Sequence, residues 1–425
     1  MRDGPAQGDT REVGLDWLSA NGWSIPRAVK SRPWPGDASL EVAQVWLHRR
    51  AWDGVPTLEG RPAKRITSAL EAASRVSGVP YRLSAEKRSF QGSIHASDQF
   101  ILTTGEAAEL IAADSRNAEV LMPHLNGEDP NSKPDCSASR WVINFRDWPR
   151  EQAEHYPACF ELLDRRVRPE VLGKPASYRG WAKRWWQFWN VHTNLYAAIE
   201  GMERVLVSAR VSKTVQPMFA PSGLVYSDAT AAFAYDDDAH FALLTSAFHY
   251  WWTITRASTM RTDLRYTPSD CFETFPQPEL TDAMSKAGAA LDMHRRQLML
   301  ERSEGLTAAY NRVHDPKEEA TDIAELRRLH VELDHAMAAA YDWEDLGLDH
   351  DFWETRQGMR FTVGPEARIE LLDRLLELNH ACHADEVRLG IVAKSPRVGS
   401  RTPKRRHELD SDGQMSELPM RFEDL

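Results

Sequence analysis

Cysteine is scarce in this 425-residue chain: Cys136, Cys159, Cys271 and Cys382 are far apart and form no CxxC pair. That excludes a disulfide scaffold and predicts a reduced, cytoplasmic protein with free thiols. No apolar run approaches the roughly 18 residues that suggest a membrane span. The opening MRDGPAQGDTREVG is too polar for a secretory signal, so no membrane partner is expected. No glycine stands two residues from another, which removes the dinucleotide fingerprint and any glycine-rich cofactor loop. A Walker lysine motif is also missing, and adjacent prolines never occur. No catalytic constellation can be assembled from what remains.

Net positive charge is lacking overall, with 63 acids against 52 bases, but not everywhere. Net charge is −11, yet Glu161–Lys213 holds ten bases against five acids, while Glu318–Arg388 holds 18 acids against seven bases. A basic middle suits a polyanion, and an acidic C-terminal part suits solvent or a protein contact. Apolar content of 42% with 15 Trp supplies real cores for two or three domains.

Residues 1–39 are rich in Gly, Pro and polar groups and read as a lead-in. From 40 to 278 the pattern alternates. Trp141–Phe145, Arg204–Ser212 and Leu224–Tyr235 predict strands. Gly105–Ala113, Glu151–Arg165, Tyr178–Glu203 and Ala239–Ala257 carry helical spacing. After Pro278, the stretches Glu279–Glu304, Asp322–Tyr341 and Pro365–Val387 are amphipathic. The expected architecture is α+β: a mixed α/β domain over 40–278, an all-helical domain over 279–390 and a disordered tail over 391–425.

Four constellations carry chemistry, each beside a plainer reading. Trp181, Trp185 and Trp189 recur at i, i+4 with Lys183 and Arg184 between them and Arg179 just before. They suit base stacking with phosphate contacts, although indoles at helical spacing more often face a core. The strand end RVLVSARVSK offers Arg210 and Lys213 to a polyanion backbone, or is simply an exposed strand. Arg261, Asp263 and Arg265 alternate after Arg256, so an extended backbone projects the three to one side. Arg reads guanine and Asp reads cytosine edges; an internal ion pair is the alternative. His380, Cys382 and His383 crowd together without a partner cluster at zinc-like spacing, which favours a polar helix face over a metal site.

Several segments together carry a resemblance. They are SFQGSIHASDQFILTTGEAAEL (89–110), NAEVLMPHLNGEDPNSKPDCSASRWVINFRDWP (117–149), RVLVSARVSK (204–213), Phe241–Pro278, LTAAYNRVHDP and DIAELRRLHVELDHAMAAAYDW. In order and spacing they resemble the C-terminal half of large adenine-specific DNA methyltransferases. Those are the type IIL (MmeI-like) restriction–modification enzymes and similar enzymes of DISARM and BREX phage defence.

The resemblance implies a target recognition domain followed by a helical domain. It also implies that the S-adenosylmethionine loop and the adenine pocket lie outside this chain, with no cofactor in the chain itself. The implied function is the sequence-reading portion of a split or truncated N6-adenine methyltransferase, with duplex DNA and a catalytic half or other defence subunits as partners. Arg210, Lys213, Arg256, Arg261, Asp263 and Arg265 become candidate DNA contacts, and Arg179, Lys183 and Arg184 candidate phosphate contacts. A scaffold in a defence complex that does not read DNA is the alternative.

Overall fold

The structure, a computed structural model, describes residues 12–33, 41–63, 65–68, 70, 76, 78–84, 86–260, 263–355 and 357–391. Residues 392–425, nearly all of the expected tail, lie outside them.

The first apolar segments pair early. Strands β1 (Ser24–Pro33) and β2 (Glu41–His48) run antiparallel, and β1 continues onto β3 (Thr57–Leu58) and β4 (Arg61–Pro62). Leu15, Ile25, Ala28, Ile66 and Leu70 close a small core against this sheet. The expected boundary at 39/40 therefore falls inside one sheet, in which β1 pairs with β2 across it through two register shifts, between Ser24 and Arg27 and between Val29 and Arg32.

Two further four-stranded sheets follow, the large sheets by the size of their cores. The first has the order β11 (Met218–Pro221), β9 (Arg204–Ala209), β13 (Thr230–Phe233), β5 (Ser89–Gln91), all antiparallel. Its centre is β9, in which Val205 to Ala209 are all buried, as a strand covered on both faces requires. The second has the order β12 (Val225–Tyr226), β7 (Leu121–Leu125), β8 (Arg140–Ile143), β6 (Ile101–Leu102). The sequence reads Leu224–Tyr235 as one strand, but it is two, in different sheets. A turn at Ser227, where Thr230 N donates to Ser227 O at 2.9 Å, carries the chain between them.

Eight helices of eight or more residues stand among the described residues: α1 (Thr104–Ala113), α2 (Pro157–Leu172), α3 (Asp238–Thr245), α4 (Ala247–Arg256), α5 (Asp282–Arg302), α6 (Leu306–Val313), α7 (Thr321–Ala340) and α8 (Pro365–Arg388). None is long and apolar enough to cross a membrane. Thr103 and Glu106 form a capping box that starts α1. The helix expected over 239–257 divides at Ser246. Its extended backbone ends α3 while its hydroxyl accepts His249 N and caps α4.

The long helix expected over 178–203 is absent; only Arg179–Ala182 and Thr193–Ala198 are helical. Between them side chains replace the helical ladder. Trp181 Nε1 donates to Gln187 O at 2.7 Å, and the Arg184 guanidinium donates to the carbonyls of Phe188 at 3.1 Å and Trp189 at 3.0 Å.

Each large sheet has its own core. Phe100, Val142, Leu163, Trp181, Trp185 and Phe188 fill the one beside β6–β8. The other runs without a break from Val205 and Phe233 through Leu244 and Trp252 to Leu326, Leu333 and Leu375. The change of composition at 278/279 is thus no break in packing, since α5, α7 and α8 cover α3, α4 and the sheet. The C-terminal part is also not all helical. A hairpin of β16 (Asp351–Thr355) and β17 (Gly358–Thr362) precedes α8, and its alternation in DFWET and GMRFT is too short to stand out from flanking helices.

Helix α5 approaches α3 closely at Gly288, where a Cβ would lie 2.0 Å from Asp238 O. Gly288→Ala is expected to destabilise the fold by about 1–3 kcal/mol through forced backbone movement. Urea unfolding measures this, and an unchanged or stabilised variant would show that the helices separate at no cost.

Candidate functional site

A further, small sheet carries Asp263 and Arg265 and is flanked by Arg210 and Lys213. After β9 the backbone turns at Arg210 and resumes as β10 (Val211–Ser212). This pairs antiparallel with β15 (Asp263–Arg265), which pairs in turn with β14 (Ser258–Met260). The register sets Val211 opposite Arg265 and Ser212 opposite Leu264. Ser212 and Leu264 are buried, while Val211, Lys213 and Arg265 are exposed. One face of the ribbon is thereby anchored in the core and the other presents cations. Arg265 has no ion-pair partner among the described residues.

Arg210 does different work. It is 7% exposed, and its guanidinium donates through Nε to Tyr266 O at 3.2 Å and through Nη1 to Asp228 O at 2.8 Å. Its carbonyl accepts Tyr266 N at 2.6 Å. Burial first, then nearby Arg265, hold its pKa below the ordinary arginine value. Arg210 therefore staples the ribbon to the turn between the two large sheets and raises the local positive potential, with two of its N–H groups engaged internally.

Behind it stands a pair that inspection of the sequence missed. His249 Nδ1 lies 3.2 Å from Leu244 O, an acceptor only, so this nitrogen carries the proton. Nε2, 3.1 Å from the Tyr266 hydroxyl, then accepts from it. The only signal was a histidine inside the apolar run FALLTSAFHYWW.

The other predicted residues divide. Arg256 ends α4 with its guanidinium 4.7 Å from the Trp252 ring centroid, a cation–π contact beside the ribbon. Arg261 lies outside the described residues; Asp263 is placed by its backbone two residues before Arg265. Arg179 and Lys183 are exposed, but on the Trp-rich segment of the other core. Arg184 is half-buried and spent on the loop carbonyls given above. Trp181, Trp185 and Trp186 are 0%, 5% and 8% exposed, so the indoles are core and not a stacking platform.

The histidines near the C-terminus clamp the chain ahead of β5. His383 stacks on Tyr81 at 4.0 Å, His380 Nε2 lies 3.0 Å from Val79 O, and Asn379 bonds both backbone groups of Tyr81. No group of three or more potential metal ligands occurs among the described residues.

Residues 79–279 match the family model described as the target recognition domain of MmeI. The resemblance read from the sequence holds for this segment, and the ribbon lies inside it. No curated protein matches the chain. Among solved structures, the fold is similar to that of the type IIL restriction–modification enzyme MmeI, determined in complex with DNA. The TM-score is 0.66 at 18% identity over 90% of this chain and 49% of that one. A second match, to the type IIG restriction endonuclease BpuSI, has a TM-score of 0.32 at 10% identity over 79% of this chain and 46% of that one. This chain thus spans about half the length of the MmeI chain.

Burial lowers the His249 pKa to about 4, against about 6.5 in an unfolded chain. Between those values the unfolded state binds more protons. Stability is complete above about pH 6.5 and is lost as pH falls towards 4, by up to about 1.4 kcal/mol per pH unit for this group. His330, also lowered to about 4 by burial, adds in the same direction. Urea unfolding at several pH values should show a shallower decline for His249→Gln than for the unaltered chain; equal slopes would mean that His249 is not held neutral.

Proposed function

We propose that this chain reads a short sequence of duplex DNA through the ribbon β10–β15–β14. It would act as the target-recognition portion of a site-specific N6-adenine DNA methyltransferase in restriction–modification. The observation that carries this reading is the placement of exposed Lys213 and Arg265 on one anchored ribbon within the segment that matches the MmeI target recognition domain. The MmeI fold, which this chain follows over 90% of its length, was determined with DNA bound.

The ribbon's chemistry supports the reading. Arginine's planar fork bonds guanine O6 and N7 together, and lysine contacts phosphate as a point charge. A two-stranded β-ribbon enters a major groove, and the antiparallel pair β14–β15 is of that width. Exposed Arg179 and Lys183 would add phosphate contacts from the second sheet's side. Arg256 and Arg210 would shape the potential, and Arg261 and Asp263 are further candidate contacts.

Catalysis belongs to another polypeptide segment or subunit in this proposal. No residue here is assigned to S-adenosylmethionine. A partner would bind it, extrude the adenine and methylate N6. Overall acidity accords with such sharing, since a net charge of −11 gives weak non-specific attraction to phosphate.

Selection from a randomised duplex pool, at two salt concentrations and with and without a candidate catalytic partner, tests the proposal. One enriched motif whose binding weakens as salt rises is expected. With that motif, Arg265→Ala should cost about 1–3 kcal/mol and relax preference at one base pair. Lys213→Ala should weaken all sequences alike and reduce the salt slope by about 1. No enrichment in either condition from folded protein would favour a scaffold that does not read DNA.

A further inference from the structure

A partly open cavity of about 50 Å³, with apolar and polar walls, lies where the loop after β10, the end of α3, helices α4, α6 and α7, and the hairpin β16–β17 meet. Its wall includes Thr245, Tyr250, His314, Asp334, His350 and Arg360. Three wall atoms are buried without a partner: Thr245 Oγ1, Tyr250 Oη and Arg360 Nε. Their residues are 1%, 7% and 6% exposed. Buried polar atoms are ordinarily satisfied, so three orphans around one cavity point to an absent occupant.

The charge balance identifies its sign. Arg360 is a buried cation with no carboxylate partner among the described residues. Nη2 donates to Lys213 O at 2.7 Å, and the guanidinium carbon lies 5.3 Å from the Tyr250 ring centroid. Nη1 faces His314 Nε2 at 2.9 Å, while Phe361 N faces His314 Nδ1 at 3.2 Å. A neutral imidazole has one acceptor nitrogen, so it cannot accept at both positions. One of the two donors is therefore unmet there, and Arg360 Nε has no partner in either tautomer.

The one carboxylate on the wall, Asp334, is already engaged by Ala247 N at 2.8 Å and His350 Nε2 at 2.8 Å. Arg327 adds to the positive field: burial first, then Arg360 and more weakly Arg327, oppose protonation of His314. Water fills hydroxyl valences but brings no countercharge to a guanidinium whose one carboxylate neighbour on the wall is bonded elsewhere.

Size sets the class. One water needs about 10–15 Å³ of such volume, so the cavity holds a few waters or one small tetrahedral ion and has no room for a nucleoside. We propose that this cavity binds a phosphate-class oxyanion, held by the Arg360 guanidinium and the hydroxyls of Tyr250 and Thr245. Its occupant bridges the hairpin to the Lys213 loop, behind the ribbon. The site is independent of whether that ribbon reads DNA.

The test is thermal unfolding of the intact chain, dialysed into chloride buffer and titrated with sodium phosphate or sodium sulfate at constant ionic strength. A saturable rise in Tm is expected with either oxyanion. It should be abolished in Arg360→Gln and shifted to about tenfold or more higher anion concentration in Tyr250→Phe, the usual loss for a hydrogen bond to a charge. Should Arg360→Gln not fold, Tyr250→Phe and Thr245→Val decide the matter, since each removes only a hydroxyl donor. No saturable rise in the unaltered chain would mean a water-filled cavity and overturn the proposal. A rise that persists unchanged in Tyr250→Phe and Thr245→Val would place the anion elsewhere and overturn it equally.

Discussion

Burial of the Arg210 guanidinium is the constraint on which the candidate site depends. Leaving a full charge at 7% exposure is costly unless its donors are met. Here two of them are met by backbone carbonyls from separate places, Tyr266 and Asp228. Tyr266 belongs to the segment following β15, and Asp228 to the turn that passes from one large sheet to the other. One side chain thereby fixes where the ribbon stands against both sheets. His249 supports the arrangement from behind by holding the Tyr266 hydroxyl, and burial keeps that imidazole neutral.

Rigidity around the ribbon has a second source in the shared core. The helices after Pro278 do not form a separate body: Gly288 lets α5 lie directly on α3, and Arg295, 1% exposed, donates to Pro217 O at 2.6 Å beside β11. Arg360 reaches from β17 to Lys213 O. A surface that discriminates between bases must hold its donors in position, and here both ends of β10 are tied to the interior: Arg210 at its start and the Lys213 carbonyl at its end.

Much of this was legible in the sequence where local pattern and burial agree. The run RVLVSA is a buried central strand, and the Leu stripe of 326, 329 and 333 is a buried helix face. Arg210 and Lys213 flank β10 and Arg265 lies on the strand paired with it, though 55 residues separate the first from the last. Pattern failed where side chains replace backbone partners. The indoles at 181, 185 and 189 mimic a helix because one core crowds them together, while the backbone between is held by Arg184 and Trp181. Ser246 and Ser227 each break an apparently continuous element through a hydroxyl or a turn that hydrophobic periodicity does not register. The roles of Arg210 and Arg265 could not be separated either, because exposure depends on register, and register on contacts far along the chain.

Hydrogen exchange of the intact chain, with and without its selected duplex, tests the central claim most directly. The account predicts slowed exchange on DNA binding over 211–214 and 263–267, with the interior amides of Val205–Ala209 already protected in both states. Slowing confined to the Trp-rich segment 179–189, with the ribbon unchanged, would contradict it.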